Sequence, residues 1–151
     1  KAIVEKLLKT NADICIVVDN AWNDVKHSSH VIDLVKTSNA KKSHRFLTME
    51  SANTVEKIGQ KLNPKEANGE FIGMAMFSEN WVKILKEVYK DALNKYKDKK
   101  FHEAKDISKA SLTDIIQELI DRKFKVHSLD IYKGWMEVDS FEDYQNMLKK
   151  A

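Results

Sequence analysis

The run Ile14-Cys15-Ile16-Val17-Val18 is unbroken by any polar residue and closes on Asp19. A strand with one wet face alternates apolar and polar side chains. A run without alternation needs cover on both faces, as in a parallel or mixed sheet sandwiched by helices. The run therefore suits a strand of an α/β sheet. In open α/β sheets ligands collect beyond the carboxyl ends of the strands. Asp19, Asn20 and Trp22 stand at such an end. Asp19 reads equally well as a cap of the next turn.

The remaining segments arrange themselves around that strand. Ile3, Val4, Leu7 and Leu8 have helical spacing, and Asn11 stops them. Segments 30–36 and 44–49, joined by the polar stretch 37–42, predict an antiparallel hairpin inserted as an excursion from the main sheet. Segment 54–59 is a short strand ending in Gly59, and 60–68 is a loop with the only proline, Pro64. Segment 69–77 is a second core strand carrying Gly69 and Gly73, and glycine in or beside a strand marks close approach of another backbone or a ligand. Glu70 lies at its mouth, either as a ligand contact or as a solvated residue of a tight turn.

Ser78 caps a long helix with Trp81, Ile84, Leu85, Val88, Tyr89 and Leu93 on one face. That stripe reads as core. Stretch 95–109 is a charged, mobile connector. Ser111 opens another helix, with Asp114 in its first turn where the helix dipole favours a carboxylate. Segment 124–131 is a strand, and the final amphipathic helix covers 141–148. The order predicts α/β layers with a mixed sheet and flanking helices.

Composition narrows the function. At 151 residues the chain is one domain by the usual span of roughly 100–200 residues. Its 26 basic and 23 acidic residues leave a net charge of +3, and the lysines are spread rather than striped, which gives no nucleic-acid footprint. No apolar run approaches the ~18 residues of a membrane span. The single cysteine, Cys15, lies inside the apolar run, so it reads as a small buried hydrophobe of a reducing, cytoplasmic compartment. His27, His30 and His44 match no zinc spacing. The chain opens in mid-helix and reads as a piece of something longer.

The densest chemistry is in Gly134-Trp135-Met136-Glu137-Val138-Asp139. A glycine turn leads into a short strand, and a helix start comes next, with Ser140 as N-cap and Asp143 three residues on. On a strand Trp135, Glu137 and Asp139 share one face. An aromatic plate with two carboxylates is a poor core pattern, because unpaired charge is costly to bury. It is a good pattern for a hydrated cation and a cationic or planar ligand. An edge strand with a solvated face explains it equally well.

In this order the motifs resemble one family. The pieces are Ala12-Asp13-Ile14, Val18-Asp19 with Trp22, Val55-Glu56-Lys57-Ile58-Gly59, and Gly69-Glu70-Phe71-Ile72-Gly73 with Phe77-Ser78. Leu112-Thr113-Asp114-Ile115-Ile116-Gln117-Glu118-Leu119-Ile120 and the Gly134-to-Asp143 stretch complete the set. Together they look like the C-terminal half of a sugar-nucleotide-transferase-like cytidylyltransferase, of the phosphocholine or 2-aminoethylphosphonate type that is often fused to a phosphoenolpyruvate mutase. The resemblance implies the C-terminal part of a Rossmann-like nucleotidyltransferase fold, with residues 1–151 forming its acceptor-binding part.

The resemblance implies transfer of CMP from CTP to a phosphate or phosphonate acceptor, with release of pyrophosphate. It implies Mg²⁺ as cofactor, held by Asp139 as the second metal aspartate and catalytic residue. It places Trp135, Glu137, Asp114, Glu70 and Trp22 around the acceptor. The family's glycine-rich nucleotide loop, catalytic lysine and first metal aspartate belong to an N-terminal half that these residues do not include. The fragment alone is therefore expected to be inactive and to need that half as its partner. Two other readings stand beside this one. One is a non-catalytic or degenerate module for self-association or partner binding. The other is a sugar-1-phosphate nucleotidyltransferase, since fold does not fix substrate.

Overall fold

The computed structural model describes residues 2–24, 31–38 and 53–135, and residues 138, 141, 144, 145 and 148 singly. Within the continuously described segments three helices, α1 (Ala2–Leu8), α2 (Glu79–Lys95) and α3 (Leu112–Asp121), accompany five strands. The strands are β1 (Ile14–Asp19), β2 (Leu34–Thr37), β3 (Asn53–Gly59), β4 (Gly69–Phe77) and β5 (His127–Ile131). The fold is mixed α/β.

All six residues of β1 are buried, as its unalternating composition requires. Its side chains go alternately to two cores. Ile14, Ile16 and Val18 join Val35, Val55, Ile58 and Phe71 beneath α2 and α3, whose Val88, Ile116 and Leu119 fill the same cluster. Cys15 and Val17 face the other way, with Leu129 and Ile131 of β5, under Leu7 of α1. The Cys15 thiol is pushed up to about 11 by burial, so it is an inert core group.

The sheet is not the open Rossmann-like sheet expected from the sequence. Its strands run β1-β4-β2-β3-β5 and close into a ring. β1 is antiparallel to β4 and parallel to β5, and short antiparallel pairings of β2 with β4 and of β3 with β5 complete the circle. Bulges supply the curvature. Ile16 pairs with Ala75 but Val18 pairs with Phe71, so three residues of β4 oppose one of β1. Gly73 sits in that bulge at φ +77°, a left-handed conformation that a side chain resists. A second register shift lies opposite Lys36 and Thr37, which pair with Lys57 and Val55 and leave Glu56 of β3 as the extra residue.

The first arm of the expected excursion, placed at 30–36, overlaps β2 (Leu34–Thr37), which is an integral strand of the ring between β4 and β3. Its expected partner, 44–49, lies outside the described residues. The lysine-rich stretch 95–109 is also more ordered than expected. Phe101 and Ile107 are buried with Ala92 in a third cluster, and Phe101 pairs with Ala104 in a β-bridge. Ser78 precedes α2 without a side-chain cap bond; its hydroxyl instead donates to Asp13 Oδ1 at 2.9 Å.

Candidate functional site

The parallel register of β1 and β5 runs from Cys15 opposite His127 to Asp19 opposite Ile131. Both strands therefore end at the same level, and their outgoing turns lie side by side. After β1 come Asn20, Ala21 and a 3-10 turn, Trp22–Asp24. After β5 comes the turn 132–135. Asn20 N donates to Ile131 O at 2.9 Å and ties the two exits together.

Asp19 is the junction. It is 5% exposed, and its carboxylate is fully engaged. Oδ1 accepts from Ala21 N at 2.8 Å and from Lys133 N at 3.0 Å. Oδ2 accepts from Trp135 Nε1 at 2.7 Å. The bond to Ala21, two residues on, is an Asx turn and matches the capping role open to Asp19 from the sequence. The bonds to Lys133 and Trp135 reach across the site. Lys133 and Gly134 have φ of +60° and +88°, so the turn pairs a strained lysine with a glycine that adopts such angles freely. The Asp19 carboxylate holds this geometry on the Lys133 amide. A carboxylate with three donors has little capacity left to act as a base or a metal ligand.

Trp135 is half-buried. One part of the indole packs on the cluster of Leu7, Cys15, Val17, Leu129 and Ile131. It is thus both a core plate and a partly open aromatic surface. Around it, Tyr132 donates its hydroxyl to Asp24 Oδ2. Lys133 Nζ lies 3.5 Å from the same oxygen and 5.4 Å from the Tyr132 ring centroid. The Tyr132 hydroxyl is the main cause holding Asp24 below the usual carboxylate range, and Lys133 adds to it. Trp22 heads the 3-10 turn that carries Asp24 and is half-buried.

Glu70 is placed at the same level of the sheet, paired in register with Asp19 on one side and Leu34 on the other. It is 6% exposed, so it is not the solvated turn residue that was one of its two readings. The preceding Gly69 explains the close packing here. A Cβ on it would stand 2.4 Å from Val18 Cγ1 and 2.9 Å from Asp19 O.

Asp114 belongs to another place. It is N3 of α3 in a complete capping box with Ser111. Its Oδ2 accepts from Ser111 N at 2.9 Å and from Ser111 Oγ at 3.0 Å, and its Oδ1 from Glu103 N at 2.9 Å. It lines a cleft of about 240 Å³ with Gly59, His102, Glu103 and Gln117, and none of Asp19, Trp22, Glu70 and Trp135 borders that cleft. Glu103 in turn accepts from Gln60 N and Lys61 N at 3.0 and 2.9 Å. Asp33, pushed up by burial and by the Glu103 and Asp114 carboxylates, lies against the same acidic group.

Glu137 and Asp139, the carboxylates that the sequence places on the face of Trp135, lie outside the described residues, as do His27, His30 and His44. Among the described residues no three His, Cys, Asp or Glu side chains are grouped as a metal site. Sequence reasoning missed Tyr132, Lys133 and Asp24, and missed that Asp19 bonds Trp135. It also missed Asp130, which accepts from Asn53 Nδ2 at 2.7 Å, Asn20 Nδ2 at 3.3 Å and Ser128 Oγ at 2.6 Å. Its strand, His127–Ile131, alternates polar and apolar residues, so Asp130 did not stand out from His127 and Ser128.

No family model, no curated protein and no solved structure matches the chain. Among the described residues no helix is long and apolar enough to cross a membrane.

Proposed function

We propose that this chain is the acceptor-binding part of a Mg²⁺-dependent nucleotidyltransferase that moves CMP from CTP to a phosphate or phosphonate bearing an ammonium group, such as phosphocholine or 2-aminoethylphosphonate. The observation that carries the reading is the Asp19–Trp135 bond. It fixes the first residue of the tryptophan-x-glutamate-x-aspartate stretch at the shared carboxyl end of β1 and β5, the end of the sheet that also carries Glu70 and Trp22.

In the reaction an oxygen of the acceptor attacks the α-phosphorus of CTP. A new P–O bond forms, the bond from that phosphorus to the oxygen bridging to the β-phosphate breaks, and pyrophosphate leaves. Both reactants are anions, so the protein must align them and offset their charge. Mg²⁺, when bound, supplies that offset. Asp139 is assigned to hold it, in keeping with the one or two carboxylates such an ion usually takes. Trp135 offers an aromatic face to the acceptor's ammonium, with Glu137, Glu70 and Trp22 around it. Asp114 is left out of this set, because both its oxygens already serve the helix cap and the Glu103 amide. The nucleotide is assigned to an N-terminal half, and the compartment to the reducing cytoplasm that suits a free buried thiol.

A second reading has one observation in its favour. Every strand of the ring already has two neighbours, so a nucleotide-binding half would pack on this sheet rather than extend it. A non-catalytic association module needs no such partner, and Leu8, 69% exposed on α1, offers it an apolar contact.

The test is Trp135→Ala in the full-length protein. The transferase reading expects the KM of the acceptor to rise by at least about tenfold while that of CTP stays within about twofold. Equal effects on both substrates return Trp135 to a purely structural role.

A further inference from the structure

We infer that Asp19 is a positioning residue for the acceptor site: its buried carboxylate sets the angle of the Trp135 indole and the shape of the turn that carries it. The inference rests on the transferase reading for the identity of the ligand, and on the geometry alone for the lock. Asp19 comes from β1 and Trp135 from beyond β5, 116 positions later. The carboxylate divides its two oxygens between two tasks. Oδ1 receives only backbone donors, Ala21 N and Lys133 N. Oδ2 receives the indole N–H.

That division makes one substitution unusually informative. In Asp19→Asn the two backbone N–H groups demand the amide oxygen at the Oδ1 position. The amide NH₂ is then forced against the indole N–H, donor facing donor. The turn keeps its backbone bonds while the indole loses its anchor. A tryptophan held by one hydrogen bond and packed on one side is free to rotate when that bond is lost, and an aromatic face recognises an ammonium only when its plane faces the cation. On the outer side of the turn Asp24 holds Tyr132 and Lys133. The turn itself thus stays in place in the variant, and the indole angle is what changes.

The experiment monitors the indole Nε1–H resonances of ¹⁵N-labelled protein, with Trp135 identified by the signal lost in Trp135→Phe and Trp81 as internal reference. In Asp19→Asn the Trp135 Nε1–H should exchange with solvent at least about tenfold faster than in the wild type, with Trp81 unchanged. Phosphocholine and 2-aminoethylphosphonate, used as probes, should shift the Trp135 signal in the wild type and fail to do so at equal concentration in Asp19→Asn. In the active full-length enzyme the same variant should raise the acceptor KM, with CTP KM unchanged. Combining it with Trp135→Phe should be no worse than the more damaging single change.

Unchanged exchange in Asp19→Asn overturns the lock. Faster exchange with unaltered probe binding, or with no probe binding even in the wild type, overturns the positioning role. Absence of transferase activity with the probe shifts intact would count against the transferase reading alone. Should Asp19→Asn fail to fold, Trp135→Phe decides. It keeps an aromatic face and removes the anchored N–H, and an unaltered acceptor KM there overturns the inference.

Discussion

The indole nitrogen of Trp135 donates to Asp19 Oδ2 at 2.7 Å, and this bond joins the end of the most buried strand to the turn after its parallel neighbour. The strand explains the burial of the carboxylate, and the burial explains its strength. A carboxylate removed from water holds its donors tightly, because leaving it unsatisfied would cost several times the ordinary hydrogen bond. Of the acceptor residues named from the sequence, Trp135, Glu70 and Trp22 gather at this end of the sheet. Asp114 caps a helix at another cleft.

Asp114→Ala should lower stability without touching acceptor recognition. The substitution removes the capping box and the Glu103 amide's acceptor together. The expected loss is about 1–2 kcal/mol, or roughly 2–8 °C in Tm for a domain of this size, read by thermal unfolding. A rise in acceptor KM with Tm unchanged would restore Asp114 to the binding set.

Gly69→Ala tests the packing between β4 and the end of β1. The added methyl meets Val18 Cγ1 at 2.4 Å and the Asp19 carbonyl at 2.9 Å. The Asp19 carbonyl cannot step aside without moving the strand that carries the site. Overpacking of this kind costs about 1–3 kcal/mol. Chemical denaturation should show that loss, whereas Gly73→Ala should be destabilised through its left-handed backbone alone, since nothing lies within 4 Å of its Cβ position.

Glu118 gives the chain an acid-sensitive tie. Its side chain is 3% exposed and bonds Arg122 Nε at 2.8 Å, with His102 Nε2 also at 2.8 Å. Burial works against the ionised form, but the Arg122 and His102 hydrogen bonds outweigh it and hold the carboxyl below its ordinary value of 4.5. A carboxyl depressed in the fold contributes stability above its unfolded value, and that stability is lost as pH falls through the folded value. Wild-type stability should therefore decline below pH 4.5. Glu118→Gln should be less stable by about 1.5–3 kcal/mol at neutral pH and should show a shallower acid decline. Parallel pH profiles for the two proteins would contradict the assignment.

What the sequence made legible was local. The unalternating run Ile14–Val18 demanded two cores, and each of its faces has one. The pair Ser111 and Asp114 announced a helix start, and the cap is complete. Ring closure was not legible, because it depends on Asn53 meeting Ser128 and Leu34 meeting Glu70. No periodicity encodes such pairings, and the bulge at Gly73 that bends β4 was not read from the sequence either. Phe101 and Ile107 were hidden among the lysines around them, since two isolated apolar residues have no period to detect. Asp19 showed its cap, which is two residues away, but not its bond to Trp135, which spans 116 positions.

The central claim is that a nucleotidyl transfer depends on the Asp139 carboxylate. Pyrophosphate release by the full-length protein tests it most directly, with CTP, Mg²⁺ and either phosphocholine or 2-aminoethylphosphonate, comparing wild type with Asp139→Ala. The transferase reading predicts Mg²⁺-dependent release in the wild type and a loss of well over about tenfold in the variant. No release from the wild type with either acceptor, or a loss smaller than that in Asp139→Ala, would contradict it.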